Sequence, residues 1–180
     1  MKPMFQQMIF AIGLLFAAFT ACAQSAVPAT DADAAFRQRV AAFLDEWHDD
    51  AAHSRMRYFD KIAKNGVYIG TDKSERWTRD DFKQWAKPYF AQPAAWTFHA
   101  VKRNIAFSGD KAYVWFDEQL DTQMGLCQAS GVIQNTKEGL RILHYQLSLA
   151  IPNPLVEHLQ GEIKQFDAEQ AQKQSQPATQ

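Results

Sequence analysis

Four long alternating runs fill residues 96–150, and they constrain the fold more than any other feature of the chain. We read strands over 96–108, 111–121, 126–135 and 140–150, each bounded by turn residues. Gly109-Asp110 separates the first two as a tight hairpin turn, and Lys137-Glu138-Gly139 falls in the last connection. Ile151-Pro152-Asn153-Pro154 ends the sheet, because proline has no N–H to give to a ladder. An antiparallel meander of this kind needs something to cover its apolar face.

The cover comes earlier in the chain. Phe36, Val40, Phe43, Leu44, Trp47 and Ala51 recur at helical spacing, with Thr30, Asp31 and Asp33 as candidate caps. A second short helix is expected to carry Met56, Phe59 and Ile62 and to stop at Asn65-Gly66. Val67-Tyr68-Ile69 reads as a brief strand. Thr78 then caps a third helix with Phe82, Trp85, Ala86 and Tyr89 on one face, and Pro88 near its end. Three helices followed by a meander predict an α+β fold, with the helices packed on one face of a curved, mostly antiparallel sheet. Such a pairing can enclose a cone-shaped hollow, and aromatic residues at 13% suit a core or cavity walled by rings.

The ends of the chain read differently. Met8 to Ala21 is apolar except for Gly13 and Thr20, too short to span a bilayer and suited to a secretory signal. Ala21-Cys22-Ala23 offers a small-x-small cleavage site, giving a signal over residues 1–23. Phe19-Thr20-Ala21-Cys22 alternatively offers a lipobox that leaves Cys22 lipidated and the protein anchored to a membrane. Either route implies export, periplasmic or secreted. Residues 24–34 read as a linker, 35–155 as the domain, and 156–180 as a polar, partly disordered tail that extends a helix as far as Glu169. Without Lys2 the chain holds 18 basic and 20 acidic residues, a net charge of −2, which argues against a nucleic-acid partner. No HExxH, paired CxxC, EF-hand loop, phosphate loop or Gly-x-Ser-x-Gly elbow occurs, so no metal or cofactor is expected.

Strand alternation turns into a statement about facing. A two-residue turn at Gly109-Asp110 would set Phe107 opposite Ala112, Ile105 opposite Val114 and Arg103 opposite Phe116. His99, Arg103 and Glu118 then share one face, with Arg103 and Glu118 as diagonal neighbours, while Lys102 and Asp117 pair on the other. Setting Ile133 opposite Ile142 brings His144, Gln146 and Ser148 to the first face, although a one-residue slip would reverse this. A carboxylate on the stripe Ala112, Val114, Phe116, Leu120 must be paired, protonated or solvated by a cavity. Arg103 and Glu118 are therefore either a buried structural pair or a ligand-facing one. Asp49 and His53, four apart on the first helix, form either a base and its orienter or a solvated helix end. Tyr58 lies where the first two helices close the narrow end of the cone. Trp47, Trp77, Trp85 and Trp96 are core or pocket wall.

Several segments resemble the SnoaL-like branch of the nuclear-transport-factor-2-like superfamily. They are Tyr58-Phe59-Asp60, Gly66 to Asp72, Glu75-Arg76-Trp77, Ala112 to Glu118, Ser130 to Ile133, His144 to Ser148, and Ile151-Pro152-Asn153. The resemblance covers about residues 35–155 and implies a cone-like α+β barrel with a pocket, often dimerising through its sheet. It implies no shared catalytic motif, since the family includes isomerases, dehydratases, cyclases and non-catalytic binders. Three functions follow as expectations. The first is a domain binding a small, largely apolar molecule through His99, Arg103, Glu118, His144, Gln146, Trp85 and Tyr58. The second is an acid/base enzyme with Glu118 or His144 transferring protons. The third is a homodimeric interaction module using Tyr113, Trp115 and Tyr145 on the outer face.

Overall fold

The structure is a computed structural model that describes residues 30–175. The expected signal segment and Cys22 lie outside those residues. Helix α1 spans Asp31–Ala52, so it begins inside the expected linker. Thr30 caps it by accepting the Asp33 N–H at 3.2 Å, and Asp31 and Asp33 place negative charge at the positive end of the helix dipole. Helix α2 is a single turn, Arg57–Asp60. Strand β1 (Ile62–Ile69) follows at once, so Ile62 belongs to the sheet and not to the second helix. Gly66 marks a register shift in β1 rather than a helix stop. A Cβ there would come 2.8 Å from the Ile142 carbonyl oxygen. Strand β2 (Arg76–Thr78) pairs with β1. Thr78 caps α3 (Arg79–Trp85) as the sequence indicates, and Pro88 opens the short α4 (Lys87–Phe90).

Strands β3 (Phe98–Phe107), β4 (Tyr113–Thr122), β5 (Gly125–Thr136) and β6 (Gly139–Leu149) form the expected meander. The six strands lie in the order β2-β1-β6-β5-β4-β3, antiparallel throughout except for the parallel β1–β6 pair. The sheet is curved and unclosed, and α1, α3 and α4 cover one face, giving the α+β cone. Helix α5 (Val156–Ser175) runs beyond the expected stop at Glu169 and lies outside the core.

Three register details depart from the expected facing. The β3–β4 connection is wider than two residues. Asp110 accepts hydrogen bonds from Ser108 Oγ (2.6 Å) and the Ala112 N–H (3.0 Å), and Lys111 takes φ +58°. The register therefore moves by two, which keeps the faces but sets Arg103 directly opposite Glu118 and Asn104, not Lys102, opposite Asp117. An irregularity between Ala100 and Lys102 then reverses the start of β3: Phe98 turns inward and His99 outward, opposite Asp121. A second irregularity between Val132 and Ile133 keeps Ile133 opposite Ile142 but sets His144 opposite Val132 and Gln146 opposite Ser130. Tyr145 and Leu147 point into the core, and His144 and Gln146 line the outer face. Gly131 permits this, since a Cβ would lie 2.6 Å from the His144 carbonyl oxygen.

Candidate functional site

The ionisable residues on the inner face form a closed knot. Val40, Leu44 and His48 follow at four-residue steps on the buried side of α1, which brings His48 over β4. His48 Nε2 lies 3.0 Å from Glu118 Oε1, and Arg103 Nε donates to Glu118 Oε2 at 2.6 Å. Arg103 Nη1 also reaches the Ala41 carbonyl (3.1 Å) and Asp45 Oδ1 (2.8 Å). The Glu118 side chain is 0% exposed. Burial alone would raise its pKa, but the His48 and Arg103 contacts outweigh that and hold the carboxyl below its ordinary value. The carboxylate fixes His48 with Nε2 protonated and leaves Nδ1 without a protein partner among the described residues.

Rings fill the space around this knot. Trp47 stacks on Tyr58 at 4.8 Å, with planes 5° apart, and meets Tyr145 edge-on at 4.7 Å. Trp47 Nε1 donates to the Tyr58 carbonyl at 3.0 Å. The narrow end of the cone is thus packed solid. Arg103 and Glu118 brace α1 against the sheet, and Tyr58 is core. Asp49 and His53 pair at 3.0 Å on an exposed helix end. Glu118 and His144 lie on opposite faces of the sheet and cannot act on one substrate together.

Open space lies at the wide end. A pocket of 230 Å³ sits between the β1–β2 turn, α3, α4 and the start of β3. Tyr68, Trp77, Phe82, Trp85, Tyr89, Trp96 and Phe98 wall it, and Leu147 and Met124 complete the apolar lining. Phe82, Trp85 and Tyr89 recur along the α3–α4 segment, and β2 holds Trp77 opposite Tyr68. Their planes are nearly aligned: Phe82 is 2° from Trp96, 16° from Trp77 and 23° from Trp85, at centroid separations of 5.7, 5.4 and 6.0 Å. Glu75 brings the pocket's carboxylate. Burial pushes the Tyr68 phenol up, and the nearby Glu75 charge pushes the same way against a hydrogen bond from Tyr58.

Of the residues expected to bind a ligand, Trp85 alone lines this pocket; Arg103, Glu118 and Tyr58 lie deeper, and His99, His144 and Gln146 face outward. Trp77 and Trp96 are pocket wall, one of the two readings open to them. Glu75 and Phe98 were legible only weakly, Glu75 as a charge in a turn and Phe98 through a strand irregularity. A second groove of 420 Å³ crosses the outer face beside Lys102, Asn104, Asp117, Gln119 and Gln146 and is polar.

The SnoaL-like domain family matches residues 40–152, and the chain belongs to it. No curated protein matches the chain. Among solved structures, an NTF2-like protein of unknown function from Pseudomonas putida KT2440 superposes with a TM-score of 0.57 at 7% identity, over 67% of this chain and 90% of that one. A putative aromatic ring hydroxylase from Novosphingobium aromaticivorans gives 0.56 at 8% identity, over 64% and 90%. A Catenulispora acidiphila protein in complex with S-DNPA gives 0.53 at 16% identity, over 64% and 93%. At these identities the likeness establishes the fold alone.

Proposed function

We propose that this SnoaL-like domain binds a small, largely apolar molecule in the aromatic pocket at the wide end of its cone. The observation that carries the reading is the set of near-parallel rings of Trp77, Phe82, Trp85 and Trp96 around 230 Å³ of open space. Parallel rings favour a flat ligand that stacks. The reading is one of binding rather than acid/base catalysis, since Glu118 is held ionised by two partners away from the pocket. Isothermal titration with 2-naphthol, a flat neutral bicycle, tests it. The expected result is saturable one-to-one binding, weakened about tenfold in Trp96→Ala by loss of a ring contact of roughly 0.5–1.5 kcal/mol. Absence of saturable heat, or equal binding by the variant, contradicts the reading.

The outer face favours a homodimer as a second property. Trp115 (52% exposed) and Tyr113 (46%) stand on it without cover. Light scattering should give twice the chain mass, falling to one in Trp115→Ala; a monomeric parent rejects the dimer. Export, by cleavage after Ala23 or by lipidation of Cys22, is the localisation supported by the apolar run Met8 to Ala21.

A further inference from the structure

The pocket's charge is one-sided. No lysine, arginine or histidine lines it, and Glu75 is its charged group. The carboxylate is built in. Glu75 Oε2 accepts the Asp72 N–H at 3.2 Å, and the Glu75 carbonyl accepts the Gly70 N–H at 2.9 Å. A Cβ at Gly70 would come 2.1 Å from Glu75 Oε2, so the glycine leaves the volume that the carboxylate occupies. Of the basic residues flanking this segment, Lys73 pairs with Asp167, Arg79 with Asp80 and Lys83 with Asp60, while Arg76, next in sequence, is exposed and does not line the pocket. Among the described residues no cation forms a salt bridge to Glu75. A carboxylate among rings, without a protein counter-charge, is best satisfied by a cation that the rings also attract.

We infer that the pocket's ligand is a small organic cation, an ammonium with apolar substituents, paired to Glu75 and covered by the faces of Trp77, Trp85 and Trp96. This rests on the pocket reading above and adds the ligand's charge. The rings present electron-rich faces to a cation, and their bulk shields it from water. Alkyl substituents on nitrogen remove the hydrogen-bond donors that an apolar wall would leave unmet. A primary ammonium would lose more hydration on entry and bind less well.

The test compares choline with 3,3-dimethylbutan-1-ol, in which a neutral carbon replaces the quaternary nitrogen, by titration calorimetry on the full chain alongside 2-naphthol. Choline should bind about tenfold or more tightly than the neutral alcohol. Glu75→Gln, whose amide oxygen can still accept the Asp72 N–H, should keep the melting temperature and weaken choline far more than 2-naphthol, removing most of that preference. Trp85→Ala should weaken choline and 2-naphthol together. Equal binding of choline and the alcohol, with 2-naphthol still bound, overturns the cation inference and leaves the pocket standing. Choline binding indifferent to both substitutions places it elsewhere and also overturns the inference. Failure of both choline and 2-naphthol to bind overturns the inference and the pocket reading together.

Discussion

At the scale of single residues, Glu118 shows how a charge survives inside an apolar core. Both carboxylate oxygens are met, one by His48 and one by Arg103. Glu118→Gln leaves the half-buried Arg103 guanidinium with only the exposed Asp45 carboxylate as counter-charge, so it should destabilise the fold by roughly 3 kcal/mol, the low end for a broken buried pair. Calorimetric melting checks this, and an unchanged melting temperature contradicts the brace. The pH dependence has a definite sign. The folded-state pKa of Glu118 lies below its ordinary value of 4.5, so its stabilisation is fully present above about that value and is lost as the pH falls through the folded pKa. The gap in melting temperature between the parent and Glu118→Gln should therefore hold above about pH 4.5 and narrow as the pH falls below it. A constant gap would mean that the carboxylate is not stabilised by the fold.

At the scale of elements, the starts of α1 and α3 are legible because their chemistry is local, whereas the second helix and the Gly109-Asp110 turn are not. Thr30 and Thr78 cap their helices through their own side chains, and the meander strands fall close to their expected bounds. The facing of β3 and β6 was not legible from strict alternation, because one extra residue in a strand turns every later side chain over. A trace of the reversal is present in β6. Leu140 and Ile142 are buried at even positions and Tyr145 and Leu147 at odd ones, so the apolar parity changes at Leu143. His48 stands at a four-residue step from Leu44 on the buried stripe, while the Asp49 and His53 spacing points to an exposed pair. Helix α5 presents Val156 and Ile163 with Phe166 (59% exposed), makes its main contact with the preceding turn Asn153–Leu155 and is tied by the Lys73–Asp167 pair. A surface ion pair contributes about 0–1 kcal/mol. Removing residues 156–180 should thus shift the melting temperature by only a few degrees. Loss of cooperative unfolding would show that α5 belongs to the core.

At the scale of the whole molecule, the cone is full at one end and open at the other. Trp47, Tyr58 and Tyr145 close the narrow end and fill the space around Arg103 and Glu118, where the strand pattern predicts either a buried pair or a ligand-facing one. The wide end holds the pocket, because α3, α4 and the β1–β2 turn bring rings to its rim without closing over it. The five tryptophans of the chain divide among these regions: Trp47 in the packed end, Trp115 on the outer face, and Trp77, Trp85 and Trp96 around the pocket. Their indole N–H signals, resolved in a nitrogen-15 correlation spectrum, can be followed as 2-naphthol is added. The account predicts that the signals of Trp77, Trp85 and Trp96 move together and saturate while those of Trp47 and Trp115 stay in place. Movement of Trp115 alone, or binding that moves none of the three, would contradict it.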